Sequence, residues 1–352
     1  MSPEDPVPDW PEDGLEHLGK CPVCGDDQRE LLYPGMTDRV FFCAPGQWSL
    51  WHCRGCGCAY LDPRPTESTI HLAYQRYYTH EADPGPAKPG IRRQLKWAIK
   101  NDHLHAHYGT RHRPRLPLGR FLPFLAGPVF SRTAGRWVRH LPRPMADSVC
   151  LDIGCGNGNF LDTARACGWQ LEGLEPDPGA ARAARQRGMI VHQSPLPRTG
   201  LPDETYDAVT MSHVIEHLHD PKSALQEIWR ILKPGGSLWI ATPNIHATGF
   251  HRFGEHWRGL EPPRHLVLFH ASTLVSMLTH AGFAKACWIP AEARPFESYA
   301  RSHCIESGLD PSAPGALSIP WSLRLSATVA AVGSAVHPDR TEELICMAGR
   351  PE

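Results

Sequence analysis

The chain has 352 residues, 36 lysines and arginines against 37 acids, and 41% hydrophobic residues. That length permits two domains, or one α/β core with appendages, and a net charge of −1 excludes a global field drawing the protein to nucleic acid or a membrane surface. Thirty-five prolines favour extended connectors over long helices.

Residues 1–16 form an acidic, proline-rich tail with no basic n-region and no apolar h-region, so no secretory signal is read there and the cytoplasm is the expected compartment. Without export, twelve cysteines point to metal or burial instead of disulfides. In residues 17–63, Cys21 and Cys24 lie in CPVCG, and Cys53 and Cys56 in CRGCG. Two such knuckles aim four thiolates at one centre, a closed tetrahedral Zn2+ site of structural type, and the segment reads as a zinc ribbon. A ribbon can also grip RNA, but Lys20, Arg29, Arg39 and Arg54 are scattered among acids here.

Residues 64–145 change character. From Ile91 to Arg143 there are twelve cations and the single acid Asp102, a local balance of +11. Such a run reads as a solvated helical surface, a phosphate-attracting lid or a nucleic-acid stripe. Apolar groups in RFLPFLAGPVF and GRWVRHL favour a partly helical basic lid packed on its neighbour.

The stretch SVCLDIGCGNGNF then reads as strand, loop and helix. Val149, Cys150, Leu151 and Ile153 suit a buried parallel strand, and Gly154, Gly156 and Gly158 let the backbone turn sharply against a ligand. Dinucleotide enzymes carry GxGxxG at this place, but here the spacing is GxGxG. Asp152, two residues before the first glycine, sits badly beside a pyrophosphate and well beside an ammonium group. Some twenty residues on, WQLEGL is followed by Glu175, where a second strand offers an acid to ribose hydroxyls. Ammonium, carboxylate and ribose together describe S-adenosylmethionine.

Alternation continues to the end. DPGAARAARQRG predicts a helix opened by Asp177 and stopped by Gly188; TYDAVTMS a strand; PKSALQEIWRIL an amphipathic helix; GSLWIAT, FAKACWIP and EELICMAG further strands. HVIEH, from His213 to His217, matches the H-x-x-E-H of a zinc peptidase, but the sequence suggests no distal third ligand and that reading is set aside. Trp321 to Val336 is apolar, carries Arg324 and is too short to span a bilayer.

LDIGCGNG, GLEPDP, YDAVTMSHVIEHLHDP, LKPGG and ATPN, in that order across residues 146–352, resemble the motifs of class I S-adenosylmethionine-dependent methyltransferases. The resemblance implies an α/β fold, a Rossmann-like seven-stranded sheet whose final strand is antiparallel, behind the N-terminal zinc ribbon. It implies S-adenosyl-L-methionine held by Asp152, Gly154, Cys155, Gly156, Gly158, Glu175, Pro176, Ser194 and Ser212. Ser194 stands where the family usually has an adenine-binding Asp. WSLWHCRGCGCAYLDPRP and YYTHEADPG resemble a zinc module found on bacterial methyltransferases of sugar-nucleotide, glycan and natural-product pathways, which implies a small acidic or glycosyl acceptor. PPRHLVLF resembles the acceptor segment of that group, implying His265 as general base, His213 next in line, and Trp257, Glu261 and Arg264 as substrate contacts. An RNA methyltransferase gripping through the ribbon and basic segment is the alternative. A non-catalytic cofactor-binding module is a second, opposed by the intact Asp152, Gly154, Gly156 and Glu175.

Overall fold

A computed structural model describes residues 9–74, 90–121, 135–289, 295–313 and 315–352. YYTHEADPG and most of RFLPFLAGPVF and of the DPGPAKPG linker lie outside these residues.

The ribbon is an antiparallel sheet of β1 (Arg29–Met36), β2 (Trp48–Cys53) and β3 (Ala59–Leu61). Pro34 interrupts β1, which is tolerated because β1 is an edge strand and a missing N–H there costs no ladder bond. The basic segment supplies α1 (Ile91–Tyr108), closed by Gly109 at φ +73°. Leu104 of α1, with Val138 and Leu141, packs in one buried cluster with Cys150, Leu161 and Trp169, so the segment is docked on the domain that follows.

That domain alternates β4 (Val149–Ile153), α2 (Leu161–Cys167), β5 (Gln170–Leu174), α3 (Pro178–Gln186), β6 (Ile190–His192), β7 (Tyr206–Ser212), α4 (Pro221–Ile231) and β8 (Leu232–Pro243). Then come α5 (Thr248–Phe253), β9 (Val267–Leu268), α6 (Ala271–His280), β10 (Ala284–Ile289), α7 (Pro295–Glu306), α8 (Trp321–Val336) and β11 (Glu343–Gly349). The helices start where local chemistry favours it. Asp177 caps α3 by accepting from the Ala180 N–H at 2.7 Å, Asp220 caps α4 by accepting from the Ser223 N–H at 3.0 Å, and a proline follows each acid. Ala224, Leu225, Ile228 and Ile231 then form the buried stripe of α4.

The seven strands run β10-β11-β8-β7-β4-β5-β6, with β11 antiparallel to both its neighbours, as the resemblance implied. Chain order reverses between β4 and β7, where Asp152 pairs in register with Thr210. In open α/β sheets ligands bind at the strands' carboxyl ends beside such a switch point.

Several elements have no counterpart in the sequence reading, among them helices α5, α6 and α7 and a short strand. The two-residue β9 pairs with β3, Val267 opposite Tyr60 and Leu268 opposite Ala59, and so adds a fourth strand to the ribbon sheet. One buried cluster consequently runs from Cys21 and Tyr60 through Leu266 and Phe269 into Leu151 and Val209 of the large sheet. Among the described residues no helix is long and apolar enough to cross a membrane.

Candidate active site and cysteine centre

The glycine turn is built as its residue types demand. Gly154, Gly156 and Gly158 have φ of +66°, +54° and +80°. A Cβ on Gly154 would lie 2.4 Å from Val214 Cγ2, so any side chain there would have to displace Val214 and hold a strained φ. Glu175, buried at the end of β5, braces the turn: Oε2 accepts from the Gly156 N–H at 2.9 Å and Oε1 from the Asp177 N–H at 3.0 Å. Cys155 is buried within the turn, and burial pushes its thiol pKa up. Pro176 is exposed beside Glu175, the Ser194 hydroxyl donates to the Thr199 carbonyl at 2.9 Å, and Ser212 closes β7.

Asp152 is 1% exposed and has a partner the sequence reading missed. Arg139 donates to its Oδ1 and, at 2.7 Å, to Thr210 Oγ1, with its guanidinium 3.9 Å from the Phe160 ring centroid. Arg139 and His140 both have φ of +50°, a region that non-glycine residues rarely adopt. The signal available in sequence was only that a buried acid needs a cation and that a run of cations precedes it.

Beyond the carboxyl ends of β7 and β8 lies a cavity of about 560 Å³, lined among others by His213, His217, Trp257, Glu261 and His265. His213 follows β7 at φ +54°, its Nδ1 3.2 Å from Glu216 Oε1 and its Nε2 3.4 Å from Glu343 Oε1. Its side chain is 41% exposed; partial desolvation opposes its charge, but the bonds to the two carboxylates outweigh that and raise its pKa well above the ordinary imidazole value. Glu216 is fully buried and also accepts from the Thr242 hydroxyl at 2.9 Å.

The segment from Glu261 to Phe269 crosses this floor. His265 donates Nδ1–H to the Gly259 carbonyl at 2.7 Å, and burial lowers its pKa to about 4. His217 donates Nδ1–H to the Arg264 carbonyl at 2.9 Å, and its ring centroid lies 4.8 Å from that of His265. Glu216, His217 and His265 each bring a donor atom within 4.8 Å of the others, a group that leaves out His213, the other histidine of HVIEH. Trp257 is buried and donates Nε1–H to Glu342 at 2.9 Å. Arg264 is wholly buried, with Asp38 at 2.5 Å and Glu261 at 3.0 Å. Glu261 takes a second cation, Arg258, at 2.5 Å. Of the three expected substrate contacts, Trp257 and Glu261 line the cavity, while the Arg264 side chain is engaged inside the protein.

At the other end, Cys21, Cys24, Cys53 and Cys56 bring their sulfurs within 4.8 Å of one another. The knuckles fold alike: the Gly25 N–H donates to the Cys21 carbonyl and the Gly57 N–H to the Cys53 carbonyl, both at 2.9 Å, with φ of +81° and +74°. Sulfur separations of 3.7 Å (Cys21 to Cys56) and 3.4 Å (Cys24 to Cys53) fit a tetrahedron with metal–sulfur bonds of about 2.3 Å, whose edge is about 3.8 Å. The four residues can hold a metal ion.

A family model described as a methyltransferase domain matches residues 120–287. The Mycobacterium tuberculosis protein named "Probable S-adenosylmethionine-dependent methyltransferase Rv3030" is 31% identical over 238 residues, 63% of this chain and 84% of its own length. Malonyl-[acyl-carrier protein] O-methyltransferase of Serratia marcescens is 31% identical over 121 residues, 34% of this chain, which spans about half (47%) of that relative. A crystal structure of a SAM-dependent methyltransferase from Archaeoglobus fulgidus aligns with 66% of this chain and 98% of its own at 20% identity and a TM-score of 0.44.

Proposed function

We propose that this chain, which belongs to the class I S-adenosylmethionine-dependent methyltransferases, methylates a small-molecule acceptor, a nucleotide sugar or a glycan or natural-product intermediate, in the cavity beyond β7 and β8. The observation that carries this reading is the adjacency of a glycine turn braced by Glu175 and a polar, histidine-bearing cavity at the same edge of the sheet. S-adenosylmethionine would supply a methyl group on a sulfonium, a leaving group already activated by its charge, so the chain must contribute mainly alignment. Glu175 would accept from the ribose hydroxyls and Asp152 would face the amino-acid end, with Gly154, Cys155, Gly156 and Gly158 giving backbone contact. Pro176, Ser194 and Ser212 would border the nucleoside.

The lining supports a hydroxyl-rich acceptor over a bare phosphate. Arg136, Arg258 and Arg301 reach the cavity, but each already meets a carboxylate, Glu343, Glu261 and Glu297 respectively. Because the Nδ1–H of His265 is committed to Gly259, its Nε2 carries the lone pair and can take a proton from an acceptor hydroxyl. His213, held charged by Glu216 and Glu343, is better suited to orient an acceptor than to deprotonate it. At the far end Cys21, Cys24, Cys53 and Cys56 would hold one zinc ion with no open position, a structural site in a cytoplasmic enzyme.

Incubation with the methyl donor and a panel of nucleotide sugars, small metabolites and RNA, read by mass, tests the assignment. One small molecule should gain a methylene mass; methylation of RNA alone would overturn it. His265→Ala should cut turnover roughly 100-fold while S-adenosylhomocysteine affinity stays within a few-fold. Unchanged turnover would place the base elsewhere.

A further inference from the structure

Glu216, His217 and His265 gather one possible donor atom each within 4.8 Å. Each imidazole places Nδ1 on a backbone carbonyl, which can only accept, Arg264 for His217 (whose Nδ1 also lies 3.1 Å from the Tyr74 hydroxyl) and Gly259 for His265, so in the neutral rings Nε2 carries the lone pair. Fixing the outer N–H on a carbonyl is how proteins orient an imidazole towards a metal. Glu216 is fixed too, by the Thr242 hydroxyl at 2.9 Å and by His213 at 3.2 Å. A backbone bond of 2.8 Å from the Leu266 N–H to the Glu216 carbonyl locks the two segments together.

We propose that Glu216, His217 and His265 form a second metal centre, a two-imidazole, one-carboxylate site for a divalent transition cation, whose open positions face the acceptor cavity. Donors about 2.1 Å from one cation lie roughly 3 to 4.2 Å apart, so closing from 4.8 Å asks only for small side-chain rotations. The ligand set suits Zn2+, Co2+ or Fe2+ better than Mg2+ or Ca2+, which prefer all-oxygen cages. His217 and His265 border the cavity while Glu216 is fully buried, so vacant positions point towards the cavity. Glu261, 3.8 Å from His265 Nε2, is already neutralised by Arg258 and Arg264 and leaves Glu216 as the charged ligand. The centre's role rests on the acceptor reading above: a bound hydroxyl would meet the cation, and His265 would then act as a ligand in place of a free base.

The zinc-loaded full chain, desalted to remove loosely held metal, is titrated with Co2+ by calorimetry and by visible absorption. One equivalent should bind with nitrogen and oxygen d–d bands and no thiolate charge transfer, which distinguishes it from exchange into the cysteine site. His217→Ala and Glu216→Gln should each weaken binding at least 10-fold. His270→Ala, in the separate His246–His270 pair, should leave it unchanged. Absence of binding up to millimolar Co2+, thiolate bands alone, or binding indifferent to both substitutions would overturn the centre. If an altered chain misfolds by circular dichroism, the wild-type spectrum decides. Methyl transfer without Co2+ binding sinks only this inference, whereas Co2+ binding without methyl transfer to any acceptor sinks only the functional reading.

Discussion

At the scale of single residues, Glu175 braces the glycine turn, accepting the Gly156 and Asp177 N–H groups, and in the proposed reading it also takes the ribose hydroxyls. Glu175→Ala should lose about 2 to 4 kcal/mol of S-adenosylhomocysteine affinity, the scale of paired charge-assisted hydrogen bonds, as read by calorimetry. Glu175→Gln, which keeps an acceptor oxygen, should lose less; equal losses would mean that charge alone matters. Asp152 and Glu175 were legible in the sequence because strand ends and glycine spacing fix them locally. Arg139 was not, because a guanidinium among twelve cations carries no mark of the one acid it meets. His265 was picked out by its segment, but its relation to Glu216 and His217, roughly fifty residues away, is a property of packing.

Elements with a period of their own were equally legible, and α3, α4, β4 and β7 fall where apolar spacing and capping residues put them. β9 was invisible: two residues show no alternation, and its partner β3 lies about two hundred positions earlier. If the four cysteines hold zinc as proposed, the chain should carry about one tightly held ion there, and Cys21→Ser should lower the melting temperature more than it disturbs cofactor affinity. A metal-free chain with unchanged melting would refute that. In the basic segment, Asp102 accepts from the Arg120 N–H at 3.0 Å and its guanidinium at 3.2 Å. Burial works to raise its pKa, but these bonds prevail and hold it below the ordinary aspartate value of about 3.8. A depressed folded pKa means stability fully present above about pH 4 and lost as pH falls through the lower folded value. Asp102→Asn should therefore loosen α1 at pH 7, seen as faster proteolysis within 91–121, and the difference from wild type should shrink below pH 4. A constant difference down to pH 2 would show that the amide fails for reasons of shape.

For the whole molecule, the question is what joins the cysteine-bearing N-terminal sheet to the seven-stranded sheet, and Arg264 is the joint. It sits in the segment that supplies β9 to the ribbon, and its side chain, 0% exposed, reaches Asp38 in the ribbon at 2.5 and 3.1 Å. It also meets Glu261 beside the cavity and the Ala73 carbonyl at 2.8 Å. Asp38 in turn accepts the backbone N–H groups of Val40, Phe41, Cys43 and Ala44, so one carboxylate organises a ribbon loop and anchors the joint. Burial opposes the Asp38 charge, yet Arg264 and those N–H groups lower its pKa below the usual value. Removing one partner of such a group strands the other, typically at about 3–5 kcal/mol, whereas removing both can be nearly neutral. Arg264→Met should therefore cost about 3–5 kcal/mol in denaturant unfolding, and Arg264→Met with Asp38→Asn should recover part of it. Zinc content should survive the single change, because Arg264 touches none of the four cysteines of that centre, while the Glu261 side of the cavity should lose its order and acceptor turnover with it. If Arg264→Met costs less than about 1 kcal/mol, the surface range, the joint is carried by β9 and the apolar contacts of Leu266 and Phe269, and the ion pairs serve only to set register.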